Sequence, residues 1–243
     1  MIMRINAKGM HYSELNRIVR HAVLSGEKEI VLDNVGGQRY IGGGLKERVK
    51  IIINGTPGND LGSFMNGPKI IVNGNAQDGI ANTMNDGEII VHGSVGDIIG
   101  YGMRGGKVYI KGDVGYRVGI HMKQYKNKKP VIIAGGTAGD FLGEYMAGGI
   151  MILLGMNSKN IVGDYTGTGM HGGVIYIRGE IEPDKLGKEV SCVELNEEDM
   201  KLITEYLQEY CKYFGFDINQ VMSRDFIKLI PVSHRPYGNL YVY

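Results

Sequence analysis

Two glycine runs, four Gly-Asp pairs and six histidines are the residues of this chain that could do chemistry. Gly100-YGMRG and Gly167-TGMHG fit the GxGxxG spacing, in which backbone amides at a helix N-terminus hold a pyrophosphate. That chemistry needs a strand before the run and a helix after it. Here each run leads into another strand-like segment, Lys107-VYI and Val174-IYI, so both runs read as turn glycines of a repeat. The pairs Gly96-Asp97, Gly112-Asp113, Gly139-Asp140 and Gly163-Asp164 offer carboxylates, but an Asp after Gly in a tight turn usually bonds nearby backbone. His11, His21, His92, His121, His171 and His234 do not fall at a common place in the repeat, which argues against a multi-histidine metal site. No serine elbow, P-loop or carboxylate pair stands out. The expectation is no catalytic, no cofactor-binding and no metal-ligating residue.

What positions these residues is a phrase of a short strand closed by glycine, repeated seven times. It reads Lys50-IIING, Lys69-IIVNG, Glu88-IIVHG, Lys107-VYIKG, Val131-IIAGG, Ile150-MILLG and Val174-IYIRG. Five units begin 19 residues after another of their number or open the series, and the steps 107 to 131 and 150 to 174 each carry five residues more. A fixed period of this size marks a solenoid. With the first strand residue as position zero, positions one and three are apolar and should share one core, because strand side chains alternate between faces. Position five is always glycine: Gly55, Gly74, Gly93, Gly112, Gly136, Gly155 and Gly179. These are candidate corners that need positive φ or close backbone approach. Position fifteen is a methionine ladder of Met65, Met84, Met103, Met122 and Met146, joined by Met170 once the insertion is allowed. A flexible thioether suits an irregular core corner.

The fold class expected is therefore an all-β solenoid, a single-stranded parallel β-helix of about seven to eight coils. Residues 29–181 form it, beginning with a less regular coil from Glu29. Residues 1–28 supply an N-terminal capping helix with Ser13 as N-cap and Gly26 as its stop. Residues 182–243 supply a C-terminal helical extension: a helix capped at Asn196 and ended at Gly215, a second short helix around 218–226, and an extended tail.

Composition narrows the function classes. Glycine is 39 of 243 residues, more than twice the usual share of ~7%, and its periodicity argues against disorder. A net charge of +1 gives no general attraction to nucleic acid or to an anionic membrane. Two cysteines without CxxC spacing fit a reducing compartment, and no apolar run suggests a signal peptide or a membrane span. The expected location is cytoplasmic.

Position two should face away from the core, yet it reads Ile52, Ile71, Ile90, Tyr109, Ile133, Ile152 and Tyr176. Such a row is larger than soluble monomers usually leave bare. Either the helix 197–214 covers it, at about 27 Å for a row of about 29 Å, or a partner chain or a second copy does, or it stays open to solvent. This row, with Lys123 and Lys126 in the first insertion, is the candidate interface; the second insertion, 157–168, is a further candidate loop.

The runs Gly55-TPGNDLGSFMNGPKIIVNGNAQDGIANTMNDG, Gly96-DIIGYGMRGG, Val114-GYRVGIHMK, Gly136-TAGDFLGEYMAGG and Gly163-DYTGTGMHGGVIYIRG strongly resemble the GXGXG domain of glutamate synthase. The likeness extends from about Gln38 to Arg235-PYG. It implies a right-handed parallel β-helix without catalytic residues, which braces a glutamine amidotransferase and an FMN and iron–sulfur synthase that make glutamate from glutamine and 2-oxoglutarate. Both catalytic domains are missing here, so the resemblance implies the split arrangement, with this domain as a separate polypeptide. FMN and iron–sulfur would then sit on partner chains and no cofactor on this one. The alternative is a scaffold like the C subunit of formylmethanofuran dehydrogenase, which also uses this β-helix. A third class, an independent β-helical transferase, lacks the hexapeptide rhythm it would need.

Overall fold

The computed structural model describes residues 2–232. Eleven strands form one sheet in the order β1-β2-β3-β4-β5-β6-β7-β8-β9-β11-β10. Strands β2 (Glu29–Gly36), β3 (Lys50–Thr56), β4 (Asn66–Asn73), β5 (Asp86–Val91), β6 (Lys107–Ile110), β7 (Val131–Ala134), β8 (Ala147–Leu153) and β9 (Gly172–Arg178) stack in parallel, each pairing with the next. The chain is a parallel β-solenoid of about seven turns.

The register follows the repeat. Ile51, Ile70, Ile89, Val108, Ile132, Met151 and Ile175 lie opposite one another in succession, so neither five-residue insertion disturbs the strands. Their side chains and those at position three point inward, and none is more than 1% exposed. The methionine ladder is as deeply buried. Between coils the turns are bonded rung to rung: Gly62 N donates to Ile41 O, Ala81 to Leu61, Gly100 to Ile80, Gly119 to Ile99, Gly143 to Val118 and Gly167 to Leu142, at 2.7–2.9 Å. One of the first coil's two extra residues is a bulge at Asn34, with φ of 56°, which separates Asp33 from Val35 in the pairing with β3.

Both ends differ from expectation. Strand β1 (Ile2–Asn6) precedes the helix and extends the sheet by pairing with β2, a strand the sequence reading missed. Helix α1 (Tyr12–Leu24) is capped by His11, not Ser13. The His11 Nδ1 accepts from the Ser13 amide, because the helix starts two residues earlier than the Ser cap required. Leu15, Val19, Ala22 and Val23 bury against the first coil. At the other end, β11 (Phe226–Pro231) runs antiparallel to β9, and β10 (Val190–Val193) antiparallel to β11. Leu229 of β11 is fully buried in the solenoid core. This antiparallel pair occupies the edge that a parallel stack would leave unpaired. The second helix, α3, spans only Ile218–Val221, since Phe226 onward is drawn into the sheet. The expected tail beyond Val232, with His234 and Arg235-PYG, lies outside the described residues.

Candidate interaction surfaces

The position-two row is largely sealed by the chain itself. Helix α2 (Glu197–Phe214) runs along it from β9 back toward β4, and Ile90, Tyr109, Ile133, Ile152 and Tyr176 are at most 2% exposed beneath Ile203, Leu207, Tyr210 and Phe214. These five residues are therefore not open to a partner, which corrects their place in the candidate interface. Ile71 is half-buried at the edge of the same cluster, and Ile52 is half-buried beyond it, because α2 ends level with β4.

Helix α2 is anchored at each end by polar contacts. At its start, Asn196 and Asp199 form a capping box, each side chain accepting from the other's amide at 2.9 Å. The Asp199 carboxylate also accepts from Tyr176 Oη at 2.6 Å and pairs with Lys228 Nζ at 2.8 Å. Burial would raise the Asp199 pKa, but the Asn196 amide, Lys228 and Tyr176 outweigh it and hold the carboxyl below its usual value. In the middle, Glu209 accepts from Tyr109 Oη and pairs with Lys107 at 2.7 Å. Burial pushes the Tyr109 phenol far up, reinforced by its bond to Glu209. Toward the end, Lys69 Nζ donates to Tyr213 Oη at 2.9 Å and pairs with Glu88 at 2.9 Å. Gly135 makes room for the helix: a Cβ there would collide with Tyr210 Oη and with the Lys111 carbonyl. The sequence signal for it was the doubled glycine at Gly135-Gly136, where other units have one.

The corner glycines divide into two kinds. Gly55 and Gly179 have φ of 131° and 114°, whereas Gly136 takes an ordinary φ but a Cβ would meet Asp113 of the preceding coil. Asp113 Oδ1 accepts from the Thr137 amide at 2.8 Å, Asp97 Oδ1 from Tyr116 at 2.9 Å and Asp140 Oδ1 from Asp164 at 2.9 Å. The carboxylates thus bond backbone of the next coil, 19 or 24 residues on, rather than their own turn. The glycine runs are similarly committed. The amides of Gly100, Gly102, Gly167 and Gly172 donate to carbonyls of adjacent coils and that of Gly169 to Glu189, so they are not free for a phosphate.

The insertions behave differently from each other. Lys123 is half-buried with its amide on Met103 O, and Lys126 is exposed with φ of 54° and its ammonium over the Tyr125 ring. Lys128 ties this loop to the coils through Asp86 at 3.1 Å. The second insertion, 157–168, is mixed: Ile161 and Val162 are 4% exposed and Ala138 bridges Val162, whereas Asn157, Lys159 and Asn160, which precede them, are exposed. Arg178 is 4% exposed and donates to the Val221 and Gln220 carbonyls, a cation at the C-terminus of α3. Among the described residues, no group of three or more His, Cys, Asp and Glu could hold a metal ion. No helix among them is long and apolar enough to cross a membrane.

An unforeseen surface lies at the turn between positions nine and sixteen. Phe64, Tyr101, Tyr116, Tyr145 and Tyr165 are 42–58% exposed there, one in each coil except that beginning at Lys69. His121 stacks on Tyr145 at 5.4 Å and meets Tyr101 edge-on, and Phe141 stacks on Tyr165 at 5.1 Å. A groove of about 450 Å³ between this surface and α1 is lined by residues that include Arg20, Tyr40, Asp60 and Phe64. The sequence held a signal for it, aromatic residues recurring within three positions of the small residue Gly62, Gly100, Gly119, Gly143 or Gly167.

The chain matches the GXGXG motif over residues 30–232. It belongs to the GXGXG motif family. A protein of Methanocaldococcus jannaschii, named there as uncharacterized, is 51% identical over 98% of this chain and 95% of its own length. Among solved structures, a chain of the formyltransferase/hydrolase complex from Methylorubrum extorquens, determined with methylofuran, superposes with a TM-score of 0.61. It is 19% identical, over 91% of this chain and 88% of that one. At that identity the likeness is one of fold.

Proposed function

We propose that this chain is a non-catalytic structural subunit of a glutamate synthase-type complex, bracing a glutamine amidotransferase and an FMN-containing synthase chain. The FMN and iron–sulfur groups would lie on those partners and none on this chain. The observation that carries the reading is the commitment of the solenoid's polar groups to its own coils. The amides of Gly100, Gly102, Gly167 and Gly172 and the carboxylates of Asp97, Asp113 and Asp140, among the groups best suited to bind or react, hold one coil to the next. What remains for function is surface. Membership of the GXGXG family and the coil-by-coil resemblance to the glutamate synthase domain support the choice of partners.

A second reading is favoured by the fold likeness to a chain of the formyltransferase/hydrolase complex. On it, the solenoid would brace subunits that act on a formylated methanofuran-type carrier. Affinity purification from native cells, with mass spectrometry of what accompanies the protein, separates the two. Recovery of the amidotransferase and FMN synthase chains supports the first reading. Recovery of formyl-transferring subunits supports the second, and recovery of neither defeats both.

A further inference from the structure

The groove between α1 and the turn surface exists because the first coil leaves a side chain out. One turn position along the rod, whose amide donates to the next coil, carries Phe64, Thr83, His121 and Tyr145 at φ of 50–59°. In the first coil that position is Gly44, at φ of 68°, and a Cβ there would meet nothing within 4 Å. Other coils hold a side chain in the same left-handed conformation, so the backbone does not demand glycine. What the glycine supplies is space. The groove holds about 450 Å³, with Tyr40 and Phe64 in its walls, 43% and 58% exposed.

Its polar groups are uncommitted. Ser63 lines the groove and is 6% exposed, yet its hydroxyl has no hydrogen-bond partner among the described residues. A buried hydroxyl left so is uncommon. Gly43 keeps it reachable, since a Cβ there would stand 3.3 Å from Ser63 Oγ. Arg20 donates from Nη2 to the Gly43 carbonyl at 3.0 Å, and its Nε and Nη1 remain for a ligand. Asp60 accepts from Asn82 Nδ2 through Oδ1 at 3.0 Å, and its Oδ2 remains. Arg20 and Asp60 line one groove, but neither forms an ion pair with the other or with any other described residue. Glu47, whose charge is also felt by Arg20, accepts from the Lys46 amide at 3.1 Å instead.

We propose that this groove binds a free α-amino acid with an uncharged side chain. The ligand's carboxylate meets the Arg20 guanidinium, its ammonium meets Asp60, and Ser63 Oγ hydrogen-bonds it from the floor. Its side chain lies against Tyr40 and Phe64, in keeping with ligand sites that combine apolar walls with a few placed polar groups. One cation and one anion in a single groove match a zwitterion. A neutral sugar would leave both charges unanswered, and a simple anion would face Asp60. The site does not depend on which complex the chain braces, so either reading can fail without the other.

Isothermal titration of the purified full chain with L-leucine, L-phenylalanine and L-glutamine, each to about 10 mM, tests this. At least one is expected to bind with a submillimolar Kd. Its amide and its N-acetyl derivative, each lacking one charge, should bind tenfold or more weakly. Arg20→Gln and Asp60→Asn should each weaken binding by a similar factor, and Ser63→Ala should weaken it less. Gly44→Phe places a ring where Phe64 and Tyr145 sit in other coils, so it should abolish binding while the circular dichroism stays that of the parent. Absence of binding by all three amino acids overturns the proposal. So does binding that Arg20→Gln and Asp60→Asn leave unchanged, or equal binding of the amide and N-acetyl derivatives. Binding of glucose in place of the amino acids overturns it as well and makes the groove a sugar site.

Discussion

The outward strand face and the outward turn face of this solenoid both carry a row of bulky apolar side chains, yet only one is closed. On the strand face, Ile133 and Ile152 are fully buried beneath α2. On the turn face, Tyr116 and Tyr165 remain more than half exposed. The strand face is flat and regular, so a single helix of 18 residues can lie along it and match each coil with a side chain. The turn face is made of left-handed corners and ring edges, and no described segment of the chain lies along its length. The covered row contributes to folding; the open row is left in solvent.

The largest test of that contrast sets Ile133→Asp beside Tyr101→Asp. A carboxylate under α2 should cost about 3–5 kcal/mol in urea unfolding, whereas the same change at the exposed ring should stay within about 0.5 kcal/mol. Equal losses would erase the distinction between the two faces. Next in size is Asp199→Ala, which removes one half of the capping box of α2, the acceptor of the Asn196 amide, and leaves Lys228 and Tyr176 without their acceptor. About 2–3 kcal/mol is expected, with amide exchange accelerated in α2 ahead of the strands.

Acid should act on the covered face in the same direction but more weakly. Asp199 and Glu209 both have carboxyls held below their usual values, in each case because bonded partners outweigh burial. A depressed folded pKa gives stability that is complete above the unfolded value of about 4 and is lost as pH falls through the folded one. Near-ultraviolet circular dichroism of the tyrosines should therefore report α2 loosening only on the acid side. Asp199→Asn with Glu209→Gln should flatten that response; loosening between neutral and mildly alkaline pH would contradict the assignment. The smallest effect belongs to the turn face. Tyr165→Gly should leave monomer stability unchanged or raise it by up to about 1 kcal/mol, since it relieves a left-handed ring position. A clear loss would mean that the exposed stack supports the fold after all.

Much of the fold was legible. The core rows at positions one and three and the methionine ladder follow from a period that must bury one face of every strand, and Asn196 and Gly215 mark the limits of α2 by ordinary capping chemistry. Strands β1, β10 and β11 were not legible, because four to six residues outside the repeat carry no period and gain their pairing only from an edge already formed. Within the candidate surfaces, the sequence named the position-two row but left its cover open. The turn row is marked in the sequence only by recurring aromatic residues at differing positions of the coil; the left-handed backbone that turns Phe64, Tyr145 and Tyr165 outward leaves no mark there.

By itself, then, the amino-acid order determined a solenoid with a fixed register, since alternation and a 19-residue step leave one way to bury the apolar positions. Only the tertiary structure decided which outer face is closed. Contacts such as Tyr109 with Glu209 join residues 100 positions apart, and their pairing depends on the shape and length of α2 against the finished stack rather than on any local pattern.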